Sequence, residues 1–274
     1  MAASGSEGAA GKLPVATAIV LAGQREGVVN PLATRAGVSH KCLVPICGKP
    51  LILWVLEALR DGPELATIRV SVETDAHPAL EQLLQHHLPD FPVELVTSAP
   101  NLVDSVFAAC GDDAGPFLIT TGDNVLLRPD AVRQVLHATT QAEAVFALAR
   151  RDTIRAAHPE GQRNFYRFRD DAYANCNMYG LATRRALNAA EVFRSGGQFM
   201  KNRQRMVEAF GLGNILLMQL GLLTLASAGR RLSRRMGVRI EPTIFADGAL
   251  AIDVDNERTY QVCEELLPQR KAVG

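Results

Sequence analysis

Apolar residues fall along this chain in two alternating rhythms. Largely unbroken apolar runs, several of them β-branched, lie at Val15–Ala22, Ile68–Val72, Val93–Thr97, Phe117–Thr121 and Ala144–Ala149. Between them, Pro50–Arg60, Leu80–His87, Leu102–Cys110 and Pro129–Thr139 carry apolar residues at helical spacing. Runs of the first kind predict strands buried on both faces, and stretches of the second predict helices packed over them. Their alternation predicts an α/β fold, a Rossmann-like, mostly parallel mixed sheet with helices on both faces. In such sheets the ligand sits beyond the carboxyl ends of the strands. The loops after Ala22, Thr97 and Thr121 are therefore where chemistry is expected.

The second half changes character. Phe165–Arg169 and Asn175–Leu181 predict two strands of an inserted meander, separated by an Asp-rich turn. Residues 183–236 are helical in pattern, a helical insertion in the C-terminal half. Val238–Ile240 and Leu250–Val254 return to strand, and Glu257–Leu267 reads as a closing helix that Asn256 or Asp255 caps. The expected division is a disordered leader at 1–12 and a single domain over 13–274. Within it lie a nucleotide-binding half at about 13–150, an acceptor-binding and helical part at about 151–240, and a closing strand and helix at about 241–268.

Composition narrows the partners. Of 274 residues 47% are apolar, enough for a sizeable core, while the formal net charge is zero. That balance argues against nucleic acid, which a basic surface would hold. Five cysteines, Cys42, Cys47, Cys110, Cys176 and Cys263, are scattered without C-x-x-C or Cys/His spacing. Neither a disulfide framework nor a structural zinc is expected, and a reducing compartment fits. Met1–Lys12 lacks the features of a signal peptide, so a cytoplasmic location is expected.

The loop after the first strand reads Leu21-Ala22-Gly23-Gln24-Arg25-Glu26-Gly27, followed by His40-Lys41-Cys42-Leu43-Val44-Pro45 and Gly48-Lys49-Pro50. A glycine loop ending a strand can wrap its backbone N–H groups around a polyphosphate, which Arg and Lys neutralise. The order of these elements resembles the MobA-like NTP transferase family, the sugar-phosphate and cofactor nucleotidyltransferases. Their signature runs L-A-G-G-x-G-x-R, then K-x-L-x-P, then G-[KR]-P-[LM]-[IL]. Lys41–Pro45 and Gly48–Ile52 match the last two parts. Gln24 and Glu26 stand where the family has glycines, and Val28 where it has the signature arginine, so Arg25 or Arg35 is left to supply that charge.

The resemblance implies a nucleotidyltransferase fold of the glycosyltransferase A type, with Lys41 on the triphosphate and Leu21, Ala22 and Gly23 touching base and ribose. It implies a Mg²⁺ ion held by Asp123, in Thr120-Thr121-Gly122-Asp123-Asn124, and by a late carboxylate that Asp253 matches best. An aspartate at a strand's carboxyl end suits this hard cation, although such residues also open turns. Asp255 is the alternative ligand, or a cap of the final helix. Ser98, Asn101 and Ser105 flank the loop with which relatives read the nucleoside, while Asn101 also suits plain helix capping. Asn175 and Asn177, with Tyr179 and Gly180, lie where relatives bind the acceptor, and Lys201, with Arg163, Arg203 and Arg205, either binds an acceptor phosphate or forms a solvated basic face.

Ala209–Ala228 is uncharged, and Arg230, Arg231, Arg234 and Arg235 follow it. A span would separate Asp123 from Asp253, which must meet on one side. A buried helix is one reading, and a membrane-surface element or homodimer contact through 209–235 is the other, with peripheral membrane association as its consequence. The expected activity is transfer of a nucleoside monophosphate from a nucleoside triphosphate, CTP or GTP, to a small phosphorylated acceptor with release of pyrophosphate. Lys41, Arg25 and Asp123 would carry the catalysis. The rivals are a nucleotide-sugar glycosyltransferase, which would want an internal D-x-D where this chain has Gly122-Asp123-Asn124, and a non-catalytic nucleotide-binding domain of the same fold.

Overall fold

Ala16 and Ala18–Val20 are almost wholly buried, because the strand they form has a neighbour on each side and a helical layer on each face. The computed structural model describes residues 13–24, 30–187, 211, 213, 217 and 221–271. In chain order the elements are β1 (Ala16–Leu21), α1 (Pro31–Ala36), β2 (Pro45–Ile46), β3 (Lys49–Pro50), α2 (Leu51–Arg60), β4 (Leu65–Val72), α3 (His77–His87), β5 (Val93–Thr97) and α4 (Leu102–Cys110). There follow β6 (Phe117–Thr121), α5 (Pro129–Ala138), β7 (Ala144–Arg150), α6 (Arg151–Ala157), β8 (Tyr166–Arg167) and β9 (Ala172–Leu181). After the undescribed stretch come α7 (Leu225–Met236), β10 (Ile240–Phe245) and α8 (Glu257–Lys271).

The main sheet runs β10-β7-β9-β6-β1-β4-β5, with β8 paired to β9. β1 is parallel to both β4 and β6, and the chain leaves it first toward β4 and β5, then returns to β6 on the other side. That reversal creates a crevice at the carboxyl end of β1. Alternation along β1 divides the core: Ala18 and Val20 face the cluster containing α2 and α5, while Ile19 faces the one containing α4. Backbone bonds hold the rim of the crevice in register. Ala22 N donates to Ser71 O at 2.8 Å, Gly122 N to Leu21 O at 2.9 Å, and Ser98 N to Val72 O at 2.8 Å.

Three local expectations are corrected. The segment Asn175–Leu181 belongs to β9, which pairs with β8 as expected of the meander but also runs antiparallel between β6 and β7 in the main sheet. Leu250–Val254 is not a strand: Gly248–Ala251 is a 3₁₀ turn capped by Asp247, followed by extended chain outside the sheet. The late strand is β10, parallel to β7 at the sheet edge. Only its first residue was legible, because Glu241 and Pro242 interrupt the apolar run, and proline is tolerated on an edge strand. Most of 209–220 and all of Lys201, Arg203 and Arg205 lie outside the described residues, as does the loop 25–29 that contains Arg25. No helix among the described residues is long and apolar enough to cross a membrane.

Candidate active site

Lys41 enters the crevice because the chain before and after it is tied down. His40 is buried, Lys41–Leu43 is a 3₁₀ turn, and Leu51 N donates to Val44 O at 2.9 Å. The Gly48-Lys49-Pro50 element lies in the hairpin of β2 and β3, whose turn is Cys47-Gly48. Cys47 and Gly48 both have positive φ, at 47° and 86°, as a two-residue hairpin turn requires. Lys49 is engaged within this unit, paired with Glu57 and lying 4.0 Å from the centre of the Trp54 ring. It braces α2 rather than reaching the crevice.

Asp123 follows β6 directly. Gly122 lets the turn pass beside β1, where a Cβ would lie 3.1 Å from that of Ala22. Buried Asn124 anchors the far side, its Nδ2 donating to Cys176 O at 3.1 Å. The second carboxylate segment is joined to the first by main chain, Val254 N donating to Asp123 O at 3.1 Å. Asp253 and Asp255 reach the same side through a tight turn, Asp255 N donating to Asp253 O at 3.0 Å, and not through strand alternation. Asn256 caps α8, its Oδ1 accepting from Thr259 N at 3.3 Å, which leaves the Asp255 carboxylate facing Lys41.

One carboxylate oxygen from each of Asp123, Asp253 and Asp255 lies within 4.8 Å of the others. Lys41 Nζ bonds to Asp123 Oδ2 and lies 3.3 Å from Asp255 Oδ1. Burial lowers the Lys41 pKa, but the charges of Asp123, Asp255 and Asp253 outweigh it and hold the ammonium above the usual lysine range. Burial, reinforced by Asp255 and Asp123, pushes the Asp253 carboxyl well above the usual carboxylate range, against the pull of Lys41. Asp123 Oδ1 is buried and accepts no hydrogen bond from a described residue. Hard oxygen donors crowded in this way, one without a partner, fit a divalent cation such as Mg²⁺.

The opposite rim is formed by the loops after β1, β4 and β5. Glu73, just past β4, accepts from Gln24 N at 2.8 Å and from the Ser98 hydroxyl at 3.2 Å. Gly23 sits closely there, since a Cβ would meet Glu73 Oε1 at 3.0 Å and Ser98 Cβ at 3.3 Å, and those side chains would have to give way. Behind Glu73, His40 Nε2 lies 3.6 Å from Glu73 Oε2 and 3.4 Å from Asp75 Oδ1. Asn101 caps α4 through Asp104 N at 2.9 Å, and the Ser105 hydroxyl accepts from Ala99 N at 2.9 Å, so both side chains shape this loop. Glu73 and His40 escaped the sequence reading. The sequence signal for Glu73 is a carboxylate directly beyond a largely buried parallel strand.

Arg35 lies on α1 against the closing helix, paired with Glu257 and 4.5 Å from the Tyr260 ring centre. Arg163 pairs with Glu160 at 2.8 Å on an exposed surface, outside the cluster of Lys41 and carboxylates. Asn175 and Asn177 reach the crevice from β9, because an antiparallel strand brings its first half to the carboxyl ends of β6 and β7. Asn177 Nδ2 donates to Asp253 Oδ2 at 2.9 Å.

A parallel sheet with a switch point beside β1, a lysine reaching from the loop beyond that strand, and carboxylates converging from the end of β6 and the approach to α8 define a nucleotide-handling transferase. Residues 18–246 match the MobA-like NTP transferase domain, and the chain belongs to that family. It is similar to the 2-C-methyl-D-erythritol 4-phosphate cytidylyltransferase of Thermosynechococcus vestitus, with 31% identity over 135 residues, 47% of this chain and 58% of that enzyme. The chain therefore spans little more than half the length of that relative. A hypothetical transferase from Thermus thermophilus superposes with a TM-score of 0.74 and 27% identity, over 90% of this chain and 100% of the other. The 4-diphosphocytidyl-2C-methyl-D-erythritol synthase of Anaerococcus prevotii shares the fold, with a TM-score of 0.58 and 10% identity over 93% and 98% of the two chains.

Proposed function

We propose that the protein transfers a nucleoside monophosphate from a nucleoside triphosphate, with CTP the first candidate, to a small phosphorylated acceptor, releasing pyrophosphate. The observation that carries this reading is the convergence of Lys41 with Asp123, Asp253 and Asp255 at the switch point. The similarity to a cytidylyltransferase supports cytosine as the base.

In this reading an oxygen of the acceptor phosphate forms a bond to the α-phosphorus as the bond to the pyrophosphate oxygen breaks. Acceptor and leaving group must lie in line, so positioning and charge neutralisation supply most of the rate. The acceptor phosphate is already ionised near neutral pH and needs no general base. Asp123 and Asp253, with Asp255 beside them, would hold Mg²⁺, which supplies neutralisation of the α-phosphate charge. Lys41 turns from the carboxylates to the leaving pyrophosphate. Leu21, Ala22 and Gly23 line the nucleoside side, and Glu73 and Ser98 set the loops around them. Arg25 or Arg35 adds positive charge, Arg35 only after leaving Glu257. Asn175 borders the acceptor side.

A pyrophosphate-release screen of the four common triphosphates against phosphorylated polyols, sugars and amino alcohols tests this. CTP with one acceptor is expected to give turnover that falls by at least about a hundredfold in Asp123→Asn, the scale of a lost electrostatic contact in a transition state. Near-normal turnover in Asp123→Asn and Asp253→Asn, with a proven substrate pair, would overturn the assignment.

A further inference from the structure

The bulge in β9 places a polar side chain where the sheet itself has no use for one. Between the pairs Phe146–Tyr179 and Leu148–Asn175 the register shifts: β7 advances two residues while β9 advances four. Asn177 sits in this irregularity with φ of 48°, the left-handed region that asparagine tolerates better than other side chains except glycine. Bulges of this kind re-aim a side chain.

What Asn177 is aimed at follows from its partners. Asn175 Nδ2 donates to Asn177 Oδ1 at 2.9 Å, and Asn177 N donates to Asn175 Oδ1 at 3.2 Å, a reciprocal clasp. Asn175 is itself held at the Tyr179 hydroxyl, 2.5 Å away. With its oxygen taken by Asn175, the Asn177 amide must present its NH₂ group to Asp253, and that group donates to Oδ2 at 2.9 Å. Asp253 needs such a tether, since it is pressed toward Asp123 and Asp255, both of which repel it. An uncharged donor can hold a carboxylate there without competing with a cation for charge.

We infer that Asn177 is a positioning residue: it fixes Oδ2 of Asp253 so that Oδ1 is presented to the divalent cation. The inference rests on the reading of Asp253 as a metal ligand. It replaces the expectation that the Asn177 amide binds the acceptor, because its oxygen and one N–H are already committed. Groups that orient metal ligands in this way commonly contribute ten- to a hundredfold in metal affinity.

The test is titration of the nucleotide-free protein with Mn²⁺, followed by electron paramagnetic resonance of the free ion, beside thermal melts in EDTA. Asn177→Gly keeps the left-handed backbone and removes the amide. It is expected to weaken Mn²⁺ binding about tenfold or more while leaving the EDTA melting temperature close to wild type. Asn175→Ala, which frees the Asn177 amide to rotate, is expected to weaken it to a smaller degree. Asp253→Asn separates the two layers of argument. If that variant binds Mn²⁺ as wild type does, the metal reading itself fails. If it loses binding while Asn177→Gly retains wild-type affinity, the positioning role is overturned and the metal reading stands.

Discussion

Replacing Lys41 with methionine keeps the length of the side chain and removes its charge, leaving three carboxylates around a partly buried point. Two unit charges at the 4.8 Å limit of this cluster repel by about 3.5 kcal/mol at an effective dielectric constant of roughly 20. The full figure will not be felt. Asp255 is exposed, so solvent screens its share, and Asp253 can relieve the strain by holding a proton. The expected loss is about 2 kcal/mol, below the roughly 3–5 kcal/mol typical of stranding a buried charge. Urea unfolding near pH 7 in EDTA measures it, as a lower midpoint with an unchanged slope. Millimolar Mg²⁺ or Mn²⁺ should then stabilise Lys41→Met more than wild type, because the cation takes over the neutralisation that the ammonium provided. A variant as stable as wild type in EDTA, or equal stabilisation of both proteins by metal, would refute the reasoning.

Three other outcomes are expected. Gly248→Ala should destabilise by about 3 kcal/mol or more, the upper range for overpacking, because the added Cβ would lie 2.2 Å from the carbonyl carbon of Thr153 and 2.3 Å from Ile154 N, both main chain; a change within about 0.5 kcal/mol in urea unfolding, the range of ordinary surface substitutions, would contradict it. In metal-free protein, stability should decline as pH rises from the ordinary carboxylate range toward the elevated pKa of Asp253, since over that window the folded chain holds a proton that the unfolded chain has released. Asp253→Asn should flatten that slope, and identical slopes would count against it. Lys41 acts at the other extreme: its raised pKa gives stability that is complete below the ordinary lysine value and is lost only as pH climbs through the folded one. Glu73→Ala deprives Gln24 N and the Ser98 hydroxyl of their shared acceptor and should weaken nucleotide binding by about tenfold, the equivalent of one charge-assisted hydrogen bond; unchanged affinity by calorimetry would exclude the role.

The central parallel strands were legible because burial on both faces demands continuous apolar sequence, whereas the edge strand β5, partly buried or exposed along its length, was legible from its Val and Leu residues alone. Phe117–Thr121 and Val93–Thr97 were read with their observed limits, and α5 was read to within one residue of its end. Lys41, Asp123, Asp253 and Asp255 were legible through the family resemblance, and the structure brings all four together. What sequence hid was long-range competition. The Ala251-Ile252 pair looks like strand, yet its burial comes from the turn packed on α6, and the edge of the sheet beside β7 is taken by β10. Asn175 and Asn177 were read on an insertion, because nothing local reveals that β9 enters the main sheet with a bulge that brings Asn177 to Asp253. Asn101 was read as flanking the nucleoside loop or as a helix cap, and its side chain does cap α4, while the Ser105 hydroxyl accepts from Ala99 N on the approach to that helix.

The bond from Val254 N to Asp123 O spans nearly half the chain, and it gives the site an order of assembly. On a ribosome the loops after β1, β4, β5 and β6 emerge first, with Lys41 and Asp123 among them. The second carboxylate arrives only when β10 has docked beside β7 and the chain has turned back past α6. A chain made only as far as β6 therefore carries Lys41 and Asp123 without the carboxylates of Asp253 and Asp255. The cluster of Lys41 and three carboxylates is complete only when the segment after β10 has returned to Asp123.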